Sequence, residues 1–214
     1  MNFESVKETA INAYDKSSDL YGADSFEAVH YGDIQKAHYR YFLLHKHISN
    51  EQTETLLDVG CGNGSFFEYL NANGFKGTYQ GIDINEKLIN AAREKYPKFC
   101  NNFNIIDILE TTNFPNYDYV IVCGLFNTNY GQDFDWVCSF LKKLYSITNK
   151  KLVFNAISTY TNFKQECMFY IDPLKISDFI IKNLSHEMSL EHGELPYNFQ
   201  IIINKSKPWH SINA

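Results

Sequence analysis

Leu56-Leu57-Asp58-Val59-Gly60-Cys61-Gly62-Asn63-Gly64-Ser65 is the stretch on which the fold turns. Its first residues form a short apolar run ending in glycine, the signature of a strand buried on both faces. Glycines at 60, 62 and 64 then allow a tight turn and leave bare peptide groups against which a ligand can lie. Ser65 to Leu70 carries a helical pattern that stops at Gly74, so the turn aims a helix N-terminus at whatever binds there. A dinucleotide fingerprint needs G-x-G-x-x-G or A. Here the third glycine comes one residue early and serine stands at 65, a poor fit to a pyrophosphate site.

Strand and helix patterns alternate onward from this unit. Strands are expected at Thr78 to Ile84, Phe103 to Ile108, Tyr117 to Cys123 and Leu152 to Ile157. Helices are expected at Asn85 to Tyr96, with Asn85 as N-cap and Pro97 as terminator, at Phe134 to Ile147 and at Pro173 to Leu184. Met188 to Glu191 and Phe199 to Asn204 close the series, too close together for a helical crossover, and so form an antiparallel hairpin. The expectation is a three-layer, doubly wound α/β fold whose mostly parallel seven-stranded sheet has an antiparallel final strand. Residues 1–50 read as a helical lid or cap and 51–214 as the core. Ile34, Ala37, Tyr41, Leu44 and Ile48 recur at helical spacing in the former.

Composition narrows the function classes. The 214 residues suit one domain, and 44% hydrophobic with 21% charged residues is globular rather than disordered. A net charge of −6 with no basic run argues against nucleic acid as a partner. The five cysteines, Cys61, Cys100, Cys123, Cys138 and Cys167, have neither metal-site spacing nor an even number, so no metal and no disulfide framework is indicated. No stretch approaches the ~20 apolar residues that span a bilayer, and the first residues lack a signal-peptide pattern. A cytoplasmic protein without a membrane partner is expected. Oligomeric state is not legible.

Asp83 ends the second expected strand, where a carboxylate can accept both ribose hydroxyl hydrogens. Asp107 ends the third and is placed to accept from an exocyclic amine. At Asp58 through Gly64, Asp83, Asp107 and Tyr117 to Gly124 the sequence resembles the class I S-adenosylmethionine-dependent methyltransferases. That resemblance implies a Rossmann-like methyltransferase fold over roughly residues 40 to 205, S-adenosyl-L-methionine as cofactor and a small-molecule methyl acceptor. It implies cofactor contacts at Asp58, Gly60, Gly62, Asp83, Ile84, Asp107, Ile108 and Cys123. The segment Phe26 to Arg40 is expected to form a lid over the cofactor, with Tyr31, His38 and Arg40 as its polar candidates and Arg40 pairing with the methionyl carboxylate.

Acceptor contacts are expected from Phe126 and Asn127 after the fourth strand and from Asn155 near the end of the fifth. Tyr130, Tyr160 and Phe163 also follow strand ends. His192, at the rim of the final hairpin, is the candidate general base. An Asn-Pro-Pro-Tyr amine loop is absent; Cys123-Gly124-Leu125-Phe126-Asn127 stands there instead. O-methylation of a small polar metabolite is therefore favoured; a sugar or sugar-nucleotide acceptor is what the overall resemblance alone suggests. The alternatives are a small-molecule N-methyltransferase, a nicotinamide-dependent oxidoreductase and a non-catalytic S-adenosylmethionine binder.

Overall fold

The alternation that begins at residue 55 forms one sheet in the computed structural model, which describes residues 3–206. The last eight residues assigned to the core, 207–214, lie outside the described part. The sheet is built from β1 (Thr55–Val59), β2 (Thr78–Asp83), β3 (Phe103–Ile105), β4 (Tyr117–Val122), β5 (Thr148–Ser158), β6 (Tyr170–Ile171), β7 (Met188–His192) and β8 (Asn198–Asn204). Its strand order is β3-β2-β1-β4-β5-β8-β7, with β6 beside β5. The pairs from β3 through β5 are parallel, whereas β8 runs antiparallel to both β5 and β7.

Helices α3 (Ser65–Ala72), α4 (Glu86–Lys95), α5 (Phe134–Ser146) and α6 (Pro173–Asn183) cover the two faces. Caps set their starts: Asn85, Asp133 and Asp172 each accept from a backbone N–H of the first turn. Leu56 and Leu57 on β1, and Val120 and Ile121 on β4, are fully buried between the helical layers. That burial on both faces is what the unbroken apolar runs required.

Three details depart from the sequence reading. The two-residue β6 adds an eighth strand, too short to leave a periodic signal. Strand β3 ends at Ile105, so Asp107 follows it; its Oδ1 accepts from the Leu109 N–H at 2.9 Å and turns the chain out of the sheet. Strand β5 begins at Thr148, four residues before the expected Leu152, because Thr148 pairs with Tyr117 across a register shift.

The N-terminal region is helical, with α1 (Phe3–Tyr21), α2 (Ile34–His45) and an irregular connection between them. Helix α2 buries Ala37, Tyr41 and Leu44, as its periodicity requires. Helix α1 buries only Val6, Ala10 and Ser18. Polar ties hold it across the strand ends. Lys7 reaches Asp107 and Glu110, Asn85 Nδ2 donates to Asp15 at 2.8 Å, and Lys87 meets Asp19 at 2.7 Å.

Candidate active site

The glycine loop turns back over the end of β1 through left-handed backbone. Gly62 has φ +54°, and a Cβ there would meet Val29 Cγ1 at 2.8 Å, so the residue must be glycine for the covering loop to close. Asn63 holds that loop: its Nδ2 donates to the Ala23 and Ser25 carbonyls at 3.0 and 2.7 Å. Ser65 Oγ donates to Asn63 Oδ1 at 2.6 Å and fixes the amide's orientation.

Between this loop, the strand ends and α1 lies a cavity of about 500 Å³, in the range of small-molecule sites. Asp83 is part of its lining. Its Oδ2 accepts the Gly62 N–H at 2.8 Å and its Oδ1 the Asn85 N–H at 2.9 Å, leaving each oxygen a further lone pair. Burial pushes its pKa up, opposed by these backbone donors. Asp58 is buried below the loop, and burial raises its carboxyl to about 7 although Tyr79 donates to it at 2.8 Å.

Gly60, Ile84, Asp107, Ile108, Cys123, Tyr31 and Arg40 line the same cavity. All ten cofactor positions expected from the sequence are thus brought together. Tyr31 Oη lies 3.3 Å from Cys123 Sγ. Burial drives the Cys123 thiol up to about 12. The Arg40 guanidinium lies 5.5 Å from the Tyr31 ring centre, and its Nε is buried without a partner.

The acceptor candidates divide. Asn127 and Tyr130 line the cavity. Phe126 does not: it is fully buried and edge-on to Trp136, Phe140 and Phe154, a core residue. Asn155 lies behind the wall, where its Oδ1 accepts the Gly124 N–H at 2.7 Å and braces the turn after β4. Tyr160 and Phe163 are exposed and outside the lining. His192 also stands apart, with Nε2 2.9 Å from Ser158 Oγ and its ring stacked on Phe199. Its strand lies at the sheet edge, beyond β8 from β5, and His192 is not among the cavity's lining residues.

Several lining residues carry no sequence motif: Lys7, Tyr14, His30, Thr128, Ile157 and Met168. The spacing of Phe3, Val6, Lys7, Ala10 and Tyr14 does mark one helical face, and that face covers the cavity. His30 is the histidine of the described lining. Its ring stacks on Tyr14 at 4.5 Å, its Nε2 lies 2.9 Å from Ser17 Oγ, and burial lowers its pKa.

A parallel sheet with a glycine turn after β1 and an acid ending β2 defines a class of α/β proteins that take an adenosine-bearing cofactor at the strand ends. Comparison with known proteins narrows it. A family model described as a methyltransferase domain matches residues 50–207, and the chain belongs to that family. A candidate methyltransferase of Mycobacterium tuberculosis is 27% identical over 156 residues, covering 70% of this chain and 92% of that protein. One from Invertebrate iridescent virus 6 is 25% identical over 163 residues, covering 69% of this chain and 61% of that protein. Among solved structures, the N-methyltransferase NodS of Bradyrhizobium japonicum with S-adenosylhomocysteine superposes with a TM-score of 0.66 at 14% identity, covering 93% of this chain and all of that one. Magnesium protoporphyrin IX methyltransferase of Synechocystis with bound S-adenosylmethionine gives 0.63 at 18% identity, covering 94% and 97%. The protein is a class I S-adenosylmethionine-dependent methyltransferase.

Proposed function

We propose that this enzyme methylates a small molecule, with S-adenosylmethionine lying across the ends of β3, β2 and β1 and the acceptor on the β4–β5 side. The observation that carries the reading is the single cavity joining Asp107, Asp83 and the glycine loop to Asn127. In it, Asp83 receives the ribose hydroxyls, Ile84 and Ile108 flank the adenine, Asp107 accepts its amine, and Arg40 with Tyr31 meets the methionyl carboxylate. Arg40 Nε, buried and unpartnered, is the kind of donor whose desolvation a ligand carboxylate offsets.

The cofactor supplies a methyl carbon to an acceptor lone pair, the carbon–sulfur bond breaking with its electrons left on sulfur. This chain's part is to hold the acceptor in line, exclude water and, for a hydroxyl acceptor, take the proton. With His192 outside the cavity lining, the imidazole available for that step is His30, held neutral because burial lowers its pKa. The O-methylation reading therefore rests on His30 in place of His192. Cover by α1 and the loop before α2 suits a small acceptor rather than a polymer. A cytoplasmic site of action, with no nucleic-acid partner, accords with the net charge of −6.

Calorimetric titration with S-adenosylmethionine, S-adenosylhomocysteine and NADH tests the cofactor assignment. Saturable binding of the first two and none of the third is expected. Binding of NADH alone would return the oxidoreductase alternative to the front.

A further inference from the structure

The cavity's lining extends beyond the ten expected cofactor positions, and the character of that further wall bears on what is methylated. Strand order puts the ribose and adenine groups on β2 and β3, on one side of β1. The opposite side, between β4 and β5, belongs to the acceptor. Ile157, one residue before the end of β5, lies there, and Leu125 and Tyr130 come from the loop after β4. Met168 comes from the loop after β5. It is fixed in place because the two loops are zipped together. Thr128 bridges Met168, Phe169 N–H donates to the Asn127 carbonyl at 2.9 Å, and Asn129 N–H donates to the Cys167 carbonyl at 2.9 Å. Tyr14 closes this half from α1, its ring centre 6.0 Å from that of Tyr130.

This wall is mostly aliphatic, aromatic and thioether, and the buried polar atoms it holds include Asn127 Oδ1 and Tyr130 Oη, enough for one or two hydrogen bonds rather than a ring of hydroxyls. Asn127 and Thr128 face it. Gln132 is spent on its own loop, with Nε2 donating to the Thr128 carbonyl and Oε1 accepting the Tyr130 N–H. A sugar brings a hydroxyl on nearly every carbon, and each one left unpaired on entering an apolar wall costs on the order of 1–3 kcal/mol. A planar ring brings apolar area instead. It gains edge and face contacts with tyrosines and sulfur–aromatic contact with methionine. The available proton acceptor points the same way. A phenolic hydroxyl ionises near pH 10, whereas water, the reference for an aliphatic hydroxyl, ionises near 16. A neutral imidazole such as His30 is matched to the former.

Resting on the methyltransferase reading above, we propose that the acceptor is a planar aromatic small molecule whose ring lies against Tyr130, Ile157 and Met168, rather than a sugar or sugar-nucleotide.

The test uses the full chain saturated with S-adenosylhomocysteine and titrated, by ligand-observed NMR, with 4-methylphenol, indole, D-glucose and UDP-glucose. The expected result is binding of one or both aromatic probes with a dissociation constant of about 1 mM or below, and no binding of the sugars. Met168→Ala, and independently Ile157→Ala, should weaken the aromatic probe by about fivefold while S-adenosylhomocysteine binds as before. Sugar binding without aromatic binding, binding of neither class, or aromatic binding that ignores both substitutions would overturn the proposal. Failure of S-adenosylhomocysteine itself to bind would instead remove the cofactor reading on which the proposal stands.

Discussion

Lys7 Nζ lies 3.1 Å from Asp107 Oδ2 and 2.8 Å from Glu110 Oε1. The helix over the cavity is thereby latched to the carboxylate expected at the adenine amine. The two carboxylates hold the ammonium well above its ordinary range. With few apolar side chains buried by α1, this latch and the two polar ties farther along carry much of its docking. Part-exposed ion pairs contribute ~0.2–1 kcal/mol each.

Lys7→Met should therefore loosen the cover without unfolding the core. S-adenosylhomocysteine is expected to dissociate about two- to fivefold faster, with a weaker dependence on added salt than in the wild type. Stopped-flow fluorescence can follow it, since Trp136 lines the cavity. An unchanged dissociation rate would mean that the Lys7 latch does not hold α1 over the cavity.

Asp83→Ala should weaken S-adenosylmethionine binding by about tenfold or more, or ~1.4 kcal/mol, within the range for hydrogen bonds to a charged group. The same change strips acceptors from the Gly62 and Asn85 N–H groups, so some loss of thermal stability accompanies it. Calorimetry on variant protein with native circular dichroism separates the two. Undiminished affinity in folded protein would remove the ribose assignment.

Asp58 gives a pH prediction with a definite sign. Its folded carboxyl is raised from 3.8 to about 7, so between those values the native state binds more protons than the unfolded one. Its contribution is present below the unfolded value and falls away as pH rises toward 7. Asp58→Asn has no such proton to lose and keeps an oxygen for the Tyr79 hydroxyl. The variant should therefore gain melting temperature relative to wild type at pH 8 and lose that advantage by pH 4. A constant difference across that range would show that Asp58 is not a buried, proton-linked group.

Asn63→Ala removes two hydrogen bonds to the covering loop, at Ala23 and Ser25, and should cost ~1–3 kcal/mol. The loss falls on the loop rather than the sheet. Limited proteolysis should cut faster between residues 22 and 33, and saturating S-adenosylhomocysteine should restore much of the protection. Cleavage at the wild-type rate would show that Val29 packing on Gly62 is sufficient.

The His30 imidazole should titrate below the ordinary value of about 6.5, because burial disfavours its charged form. Proton NMR identifies its signal as the one missing in His30→Gln. A midpoint at or above the ordinary value would show that burial does not disfavour the charged form of His30 in this cavity.

What could be read from the chain by itself was whatever rests on local geometry. Buried parallel strands need unbroken apolar runs, so Leu56–Val59 and Tyr119–Val122 were visible. Tight turns under a ligand need glycine, so residues 60–64 were visible. An acid at the end of a strand beside a glycine turn stands out, so Asp83 was visible. Spacing along the chain encodes each of these; the other cavity positions expected from the sequence came from the family resemblance and the expected lid, and all ten line one cavity.

Contacts between distant segments left no such trace. Phe126 and Asn127 are adjacent, yet the first enters the core and the second faces the cavity, because the Asn127 N–H closes a turn on the Gly124 carbonyl at 3.0 Å. The sequence reading singled out His192 and passed over His30, because nothing local to either marks its place at the cavity. Only the placement of β7 two strands beyond β5, and of α1 across the strand ends, put the first outside the chamber and the second on its wall. Packing among residues more than a hundred positions apart, as between Lys7 and Glu110, is fixed when the sheet assembles. The strand-end residues expected at the cofactor were therefore written in the sequence, while the rest of the cavity wall was decided by the tertiary structure.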